Sequence, residues 1–410
     1  MSVKKKDMSR REFLSKSIIG TTSASLFGVY GKAFLSSDQK EFSLGAKKGT
    51  IYRTLGKTGI RLPIVNMGIM NSFNSELIKG SYDTGVRHFD TAHFYQFGQS
   101  EEMLGNAIKE LNVRDKVIIS TKVAIPHHRQ KMTLEQAKET FRGMTEKSLE
   151  RLKTDYVDIL YIHDVTNTEE LNDPAIKEAL LFLKNQKKAR FIGFSTHANM
   201  TECIHEAARM GFYDVILTAY NYAMSDDTKL IKAIENGASK GIGMIAMKTQ
   251  CSQYYRENVP KAKHHYYTGK IIHTAVLKWA LRNKNITAAI PGYANFQEME
   301  EDFSVAYDLE YTPEEKKFLE DKNVKLSLAY CRQCNQCVPT CRKGVDVPTL
   351  MRVHMYATCY ANFYQARHTL DSIPRGKNLN MCTKCNECTA VCANHIDIGK
   401  RIDELKTIYV

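Results

Sequence analysis

The 410-residue sequence lacks a long uninterrupted apolar run. Its most apolar N-terminal stretch, residues 17–35, is diluted by glycine, serine and threonine. That stretch is too short and too polar to cross a membrane as a helix. No Gly-x-Gly-x-x-Gly motif follows the first predicted strand, which argues against a doubly wound dinucleotide-binding fold.

The middle of the chain has little net charge. The formal charge of +13 comes mainly from residues 1–50, with 10 basic and 4 acidic side chains, and residues 328–410, with 11 and 6. Residues 51–327 therefore carry only +2. A folded nucleic-acid-binding domain is expected to carry a basic patch or stripe. The distribution argues against nucleic acid as a partner.

From about residue 51, short apolar runs alternate with longer amphipathic segments. The predicted strands are Ile64–Met70, His88–Ala92, Val117–Val123, Val157–His163, Phe191–Ser195, Val215–Ala219, Gly243–Met247 and Ala288–Ile290. Predicted helices between them include Glu101–Leu111, Leu134–Leu152, Pro174–Asn185 and Thr201–Met210. The alternation predicts parallel strands with helical crossovers, and eight such units predict a (β/α)8 TIM barrel. A doubly wound open sheet is the competing fold.

Polar residues stand where three consecutive predicted strands end. Asp90 lies near the end of the second strand with Tyr95 five residues later, while Lys122 closes the third strand and His163 the fourth. The carboxyl ends of barrel strands form one rim, where active sites lie. Each residue alone has an ordinary structural explanation, such as core packing or helix capping. Together they predict a catalytic group.

The chemistry that suits this group is carbonyl reduction. Hydride attack on a carbonyl carbon produces an alkoxide, which needs a proton from a weak acid such as Tyr95. Lys122 is expected to lower the pKa of Tyr95, and Asp90 to neutralise and position Lys122. His163 is expected to hydrogen-bond the carbonyl oxygen of the substrate.

These residues also match a known family. Asp90-Thr91-Ala92, followed by Tyr95 and then Gly98-x-Ser100-Glu101, resembles the aldo/keto reductase signature. Lys122 and His163 match that family's lysine and histidine. The resemblance implies a barrel over residues 46–325, a small-molecule carbonyl or alcohol substrate, and NAD(P)H as cofactor.

The resemblance also implies where NAD(P)H would bind, namely at Ser195, Thr196, Thr218, Gly292 and Asn295. Thr196 and Thr218 replace the Asn and Gln that are common in the family. Gly292 and Glu298 replace a Lys and an Arg that clamp the 2′-phosphate of NADPH, so these positions offer no cation. After the third strand, His127 and His128 are candidates for the substrate pocket, and the insertion Gln250–Lys270 for a cover over the mouth.

Eight cysteines near the C-terminus form two Cys-x-x-Cys-x-x-Cys-x-x-x-Cys motifs. They are Cys331, Cys334, Cys337 and Cys341, then Cys382, Cys385, Cys388 and Cys392. This spacing predicts two 4Fe–4S clusters, the fourth cysteine of each motif ligating the other cluster. A tetrahedral zinc site takes two Cys-x-x-Cys pairs, which leaves the third and fourth cysteines of each motif without a role. Disulfides among cysteines this close in sequence would have awkward geometry.

The residues between the two motifs show helical patterns at Pro348–Tyr360 and Ala361–Leu370. Residues 326–410 therefore resemble a small, mostly α-helical ferredoxin-like domain. Two neighbouring clusters are typical of electron transfer, which makes a redox protein a possible partner.

The N-terminus carries Arg10-Arg11 after Lys4-Lys5-Lys6. Residues 1–45 resemble a twin-arginine signal peptide with its linker, read by the twin-arginine export machinery. The resemblance implies a periplasmic or exported protein, with a cytoplasmic location as the alternative. Two other functions stay open: an ordinary cytoplasmic NAD(P)H reductase with structural clusters, and a non-catalytic barrel that acts as a docking or sensing module for the electron-carrying domain.

Overall fold

The computed structural model describes residues 48–125, 132–250, 271–321, 324, 328, 330–385 and 387–410. All of them belong to one unit, Glu41–Val410, the other unit being Met1–Lys40. The predicted signal peptide, the pair His127-His128 and all but the first residue of the insertion Gln250–Lys270 lie outside the described residues.

A short antiparallel hairpin precedes the barrel. Strand β1 (Tyr52–Thr54) pairs with β2 (Arg61–Pro63), and Gly59 has a φ of +73°, which favours glycine in the connecting turn. Leu55 and Leu62 are fully buried and pack with Ile159 and Ile245 inside the barrel. The hairpin therefore closes one end of the barrel with apolar side chains.

Eight parallel strands form the barrel. They are β3 (Met67–Gly68), β4 (His88–Asp90), β5 (Ile118–Ala124), β6 (Val157–Val165), β7 (Ala189–Thr196), β8 (Val215–Ala219), β9 (Gly243–Met247) and β10 (Ala288–Ala289). Neighbours in the chain are neighbours in the sheet. A parallel bridge from Val65 to Ala289 joins the two ends of the sheet. The TIM-barrel prediction is confirmed.

Helices surround the sheet. They are α1 (Ser75–Thr84), α2 (Gln99–Leu111), α3 (Leu134–Leu152), α4 (Thr168–Asn172), α5 (Pro174–Asn185), α6 (Met200–Met210), α7 (Thr228–Ser239), α8 (His273–Arg282), α9 (Phe296–Ser304) and α10 (Pro313–Glu320). Capping explains two of the predicted starts. Thr133 and Gln136 form a capping box ahead of α3, and Asp173 caps α5, which opens on Pro174.

The regular secondary structure of the C-terminal residues is helical. Helix α11 (Val347–His354) runs into a π-helical turn (Met355–Cys359), followed by α12 (Phe363–Asp371) and α13 (Ile398–Tyr409). Leu350, Val353, Ile402 and Leu405 share a core of their own. Within the described part of the chain, no helix is long and apolar enough to cross a membrane.

The C-terminal helices lie over the mouth of the barrel. Asn362 donates to the carbonyl of Met70, just after β3, at 3.2 Å. Tyr364 donates to the carbonyl of Phe94, beyond the end of β4, at 3.2 Å. The strand ends that carry the predicted catalytic residues are therefore covered by the segment that carries the cysteines.

Candidate active site

A buried ion pair lies at the centre of the site. Lys122 near the end of β5 donates to Asp90 Oδ1 at the end of β4 and, at 2.6 Å, to the carbonyl of Thr91. The two side chains are 1% and 3% exposed. Burial lowers the pKa of Lys122, although Asp90 opposes the shift. The pair fixes both side chains, since neither charge can reach solvent.

A second layer of hydrogen bonds holds Asp90. Ser120 donates to Asp90 Oδ2 at 2.6 Å, and Nε2 of His88 lies 2.8 Å from the Ser120 hydroxyl. Burial lowers the pKa of His88 to about 4. His88 is therefore neutral, and the charges of this group are those of Asp90 and Lys122.

Tyr95 lies beside the ion pair. Nζ of Lys122 is 4.9 Å from the centre of the Tyr95 ring, and the His163 ring packs edge-on at 5.7 Å. The side-chain amide of Gln96 holds the turn that carries Tyr95 by donating to the carbonyls of Met70 and Ser72 at 3.2 and 2.9 Å. The structure thus brings the four predicted catalytic residues together at one rim.

One electrostatic expectation is wrong. The pKa of Tyr95 is raised rather than lowered, first by burial and then by the negative charges of Asp90 and Asp164. The ammonium of Lys122 is already bound to Asp90, so its charge is largely compensated at the phenol. Tyr95 is therefore a protonated phenol, suited to donate a proton rather than to accept one.

His163 is neutral as well. Burial, and then the nearby Lys122 charge, lower the pKa of His163 to about 3. A neutral imidazole can still donate one N–H to a carbonyl oxygen. The predicted role of His163 requires no more than that.

The Gly-x-Ser-Glu part of the motif has a structural reason. Glu101 is fully buried, accepts from Thr121 Oγ1 at 2.6 Å and pairs with Arg151 at 3.2 Å. A Cβ on Gly98 would lie 2.2 Å from the Arg151 guanidinium. Glycine is favoured there because its φ is +93°, which other residues rarely adopt, and because Arg151 crosses the turn to reach Glu101.

The residues predicted to bind the nicotinamide cofactor are mostly occupied by other contacts. Ser195 accepts from the backbone N–H of Asp164 at 3.0 Å, and Thr196 donates to the carbonyl of Ala198 at 2.9 Å. Thr218 is fully buried and donates to the carbonyl of Ala219 at 3.4 Å.

The positions predicted to face the adenosine end carry no cation. Gly292 and Asn295 are exposed. Asn295 caps α9 by accepting from the N–H of Glu298 at 2.9 Å, and its amide donates to the Glu298 carboxylate at 2.8 Å. A carboxylate therefore stands at this end of the site.

Two other residues at the mouth were missed by sequence reasoning. The side-chain amide of Asn221, just after β8, is fully buried, and so is the hydroxyl of Thr249, just after β9. Among the described residues neither group has a hydrogen-bond partner. Both residues follow a strand end closely, and this was the only sign of a functional role in the sequence. Their burial without a hydrogen-bond partner is visible only in the structure.

A cavity of about 90 Å³ opens at the mouth beside His163. Its barrel side includes His163, Asp164 and His197, and its C-terminal side includes Arg352 and Tyr356. Arg352 on α11 pairs with Asp164 at the end of β6 at 2.7 Å. Burial would raise the pKa of Asp164, but the charge and the hydrogen bond of Arg352 hold it well below its usual range.

The cysteines fall into two neighbourhoods. Burial raises the pKa of Cys331 to about 12, with contributions from Cys337 and Cys392. Burial also raises the pKa of Cys382 to about 11, with contributions from Cys341, Cys388 and Cys385. The fourth cysteine of each motif therefore lies near the other motif.

Two further observations bear on the cysteines. Burial raises the pKa of Cys337 to about 11, and its contributing neighbours are Cys392, Cys334 and also Cys341, so the two neighbourhoods adjoin. Among the described residues, no three His, Cys, Asp or Glu side chains are close enough to share a single metal ion. The four cysteines of a 4Fe–4S cluster each bind a different iron atom, so they need not lie as close together as the ligands of a single metal ion.

Comparison with known proteins gives consistent matches over the barrel. The model of the aldo/keto reductase family matches residues 61–323. L-galactose dehydrogenase of Arabidopsis thaliana is 28% identical over 288 residues, spanning 63% of this chain and 88% of the plant protein. L-glyceraldehyde 3-phosphate reductase of Escherichia coli K12 is 23% identical over 315 residues, spanning 64% and 90%.

Solved structures agree on the fold. An aldo-keto reductase from Klebsiella pneumoniae in complex with NADPH has a TM-score of 0.52 at 20% identity, covering 67% of this chain and 96% of its own. The holo form of an aldo-keto reductase from Bacillus halodurans has a TM-score of 0.51 at 18% identity, covering 66% and 95%.

Proposed function

The chain belongs to the aldo/keto reductase family, and we propose that it interconverts a small carbonyl compound and its alcohol while exchanging electrons through two 4Fe–4S clusters. It is an oxidoreductase that acts on carbonyl or alcohol groups. The observation that carries the proposal is the buried Lys122–Asp90 pair beside Tyr95 and His163.

The chain's own residues would handle the proton and the orientation of the substrate. His163 donates a hydrogen bond to the carbonyl oxygen, and Tyr95 delivers the proton that the developing alkoxide needs. The high pKa of Tyr95 keeps the phenol protonated until the alkoxide forms. Asp90 holds Lys122 against Tyr95, which keeps the group in place through the reaction.

A nicotinamide, when bound, supplies or accepts the hydride. The Klebsiella neighbour, solved with NADPH, supports such a cofactor here. The unpartnered amide of Asn221 offers both a donor and an acceptor, as a carboxamide requires, and Ser195, Thr196 and Thr218 line the same strand ends. Glu298 and Asn295 favour NADH over NADPH, because a 2′-phosphate would meet a carboxylate there.

The cysteine neighbourhoods suit two clusters. Cys331, Cys334, Cys337 and Cys392 would hold the first, and Cys382, Cys385, Cys388 and Cys341 the second. The proximity of Cys392 to the first motif and of Cys341 to the second supports this crossed ligation. When present, the clusters would carry single electrons, and the segment that holds the cysteines contacts the mouth of the barrel through Asn362 and Tyr364, which suits exchange with the barrel.

We further propose that the protein is exported through the twin-arginine pathway, with residues 1–45 as the signal and residues 326–410 as the ferredoxin-like domain. That pathway carries folded proteins, which suits clusters assembled before export. A redox protein outside the cytoplasm would then exchange electrons with the clusters. A reporter fused to residues 1–40 should be exported, and Arg10→Lys with Arg11→Lys should retain it inside the cell.

Tyr95→Phe tests the proposed chemistry. The variant should lose about 10²- to 10⁴-fold of carbonyl turnover, the usual contribution of a positioned proton donor. Tyr213→Phe is the matched control, because its buried hydroxyl donates to the carbonyl of Leu171 and lies outside the proposed site. Equal turnover by the wild type and Tyr95→Phe, with iron content unchanged in both, would contradict the proposal.

A further inference from the structure

The residue after His163 has an unusual backbone conformation. Asp164 has a φ of +59°, in the left-handed region that residues with a side chain rarely adopt. At this point the pairing of β6 with β7 shifts its register, between Ile162 and Val165. The backbone N–H of Asp164 donates to the hydroxyl of Ser195 at 3.0 Å. The end of β6 is therefore a bulge that this hydrogen bond helps to hold.

The bulge changes the direction of the neighbouring side chains. Successive side chains of a regular strand point to opposite faces of the sheet. His163 and Asp164 are successive, yet both line the cavity at the mouth of the barrel. A β-bulge can re-aim a side chain in this way, and bulges are common next to active sites. The direction of the His163 ring, which lies edge-on to Tyr95 at 5.7 Å, thus depends on the backbone at Asp164.

An arginine of the C-terminal helices holds this backbone from outside the barrel. Arg352 on α11 donates from Nη1 to Asp164 Oδ1 at 2.7 Å. The two side chains are 11% and 28% exposed, so water screens this pair less than it screens a pair on the open surface. Backbone strain persists only where the surrounding contacts fix it. Arg352 and the Ser195 hydroxyl supply such contacts at Asp164.

Arg352 is also the charged partner of the Asp164 carboxylate. The two neighbouring histidines, His163 and His197, are neutral because burial lowers the pKa of both. Without Arg352, the partly exposed carboxylate could turn to water, and the left-handed backbone would lose the contact that opposes its relaxation. His163 is bonded directly to that backbone and would move with it.

We propose that Arg352 is a positioning residue: by holding Asp164, it sets the direction of the His163 imidazole toward the substrate carbonyl. This inference rests on the proposed function, in which His163 binds the carbonyl oxygen. A displacement of about 1 Å at a site can slow a reaction about 10²-fold, so a relaxed Asp164 would slow turnover without unfolding the protein. The cysteine-bearing segment would then complete the carbonyl site of the barrel as well as carry the clusters.

Two substitutions of Asp164 distinguish positioning from a merely structural ion pair. Asp164→Gly and Asp164→Ala both leave Arg352 without its carboxylate. Glycine adopts a left-handed φ without strain, whereas alanine does not. A structural ion pair predicts equal losses of the maximal rate in the two variants. Positioning predicts that Asp164→Ala loses roughly tenfold more than Asp164→Gly, the factor expected from the left-handed strain of a residue with a Cβ.

Substitutions of Arg352 test the other partner. Arg352→Met should lower the maximal rate by about 10- to 10²-fold, and Arg352→Lys should recover part of that loss because it keeps a cation for Asp164. In a His163→Gln background, Arg352→Met should have little further effect, since the group that it positions is already gone. Asp226→Asn is the matched control. It breaks the pair of Arg332 with Asp226 at 2.7 Å, which also joins the C-terminal segment to the barrel, and should leave the rate unchanged.

The rates are measured anaerobically on the full-length, cluster-loaded protein. Each variant is reduced with dithionite, freed of excess reductant and given a catalytic amount of NAD⁺ with saturating glyceraldehyde, xylose or butanal, whichever the wild type reduces fastest. Iron content and melting temperature show that each variant is folded and loaded. A crystal structure of Arg352→Met, or of Arg352→Lys if the first variant does not fold, should show Asp164 outside the left-handed region and His163 displaced from Tyr95.

Several results would overturn the inference. They are equal losses in Asp164→Gly and Asp164→Ala, an unchanged rate in Arg352→Met, and an Arg352→Met loss of the same size with and without His163. A crystal structure in which Asp164 keeps its φ and His163 its place would overturn it as well. If the wild type reduces none of the three carbonyls, the proposed function fails, and the crystal structure alone decides whether Arg352 positions His163.

Discussion

Replacing Asp90 with Asn should destabilise the protein through Lys122. The change keeps the shape of the side chain but leaves an ammonium that is 1% exposed without its counter-charge. Lys122 would keep only the Thr91 carbonyl at 2.6 Å and a neutral amide oxygen. Removing one partner of a buried ion pair costs about 3–5 kcal/mol. At about 2 °C per kcal/mol, the melting temperature should fall by roughly 6–10 °C.

The deficit should also depend on pH. Burial already lowers the pKa of Lys122, and Asp90 opposes that shift, so Asp90→Asn should lower it further. The unfolded chain then binds more protons than the folded one, and stability rises with pH. The difference from the wild type should therefore shrink between pH 7 and pH 9, as Lys122 loses its proton in the folded protein.

Thermal unfolding followed by circular dichroism at both pH values measures these effects. Asp403→Asn is the control, since Asp403 is 74% exposed in its pair with Lys406 and such pairs contribute little. A melting temperature for Asp90→Asn within 2 °C of the wild type would refute the argument. A deficit that grows with pH would also refute it.

Three other changes test separate parts of the structure. Gly193→Ala should lower the free energy of unfolding by about 3 kcal/mol or more, because its Cβ would lie 2.1 Å from the Val215 carbonyl oxygen. Gly143→Ala in α3 is the control: its Cβ would meet nothing within 4 Å, so the change should be neutral or stabilising. Chemical unfolding measures both. In binding titrations the wild type should bind NADH more tightly than NADPH. Gly292→Lys should reduce the ratio of the two dissociation constants by roughly tenfold, since it adds a cation for the 2′-phosphate. An unchanged ratio would show that the 2′-phosphate binds elsewhere. Cys392→Ser should impair the first cluster and Cys341→Ser the second. The two variants should then lose different signals in the electron paramagnetic resonance spectrum of the reduced protein. Loss of the same signal in both variants would exclude crossed ligation.

Much of the barrel could be predicted from local pattern. Strands Val215–Ala219 and Gly243–Met247 have the predicted bounds, because each is a short apolar run buried on both faces. Helices Leu134–Leu152 and Pro174–Asn185 also match, since their caps and periodicity agree. The first strand was predicted too long, because most of the apolar run Ile64–Met70 packs without forming a ladder and only Met67–Gly68 pairs as a strand.

The parts of the site that were missed depend on long-range contacts. Arg352 meets Asp164 across 188 residues of sequence, and no local pattern indicates that pairing. The raised pKa of Tyr95 depends on burial and on Asp164, which sequence spacing does not reveal. Asn221 resembles an ordinary loop residue until its buried amide is seen without a partner.

The central claim is that carbonyl chemistry at Tyr95 is linked to the clusters, and one anaerobic measurement tests it. The protein is reduced with dithionite, freed of excess reductant, and mixed with glyceraldehyde, xylose or butanal, with and without a catalytic amount of NAD⁺. Each carbonyl that becomes an alcohol would take up two electrons, which two reduced clusters would supply, and two protons, one of them from Tyr95. The account predicts that visible iron–sulfur absorbance recovers with at least one of these carbonyls in the wild type and stays bleached in Tyr95→Phe. Absorbance that stays bleached in both proteins, or recovers equally in both, would contradict it.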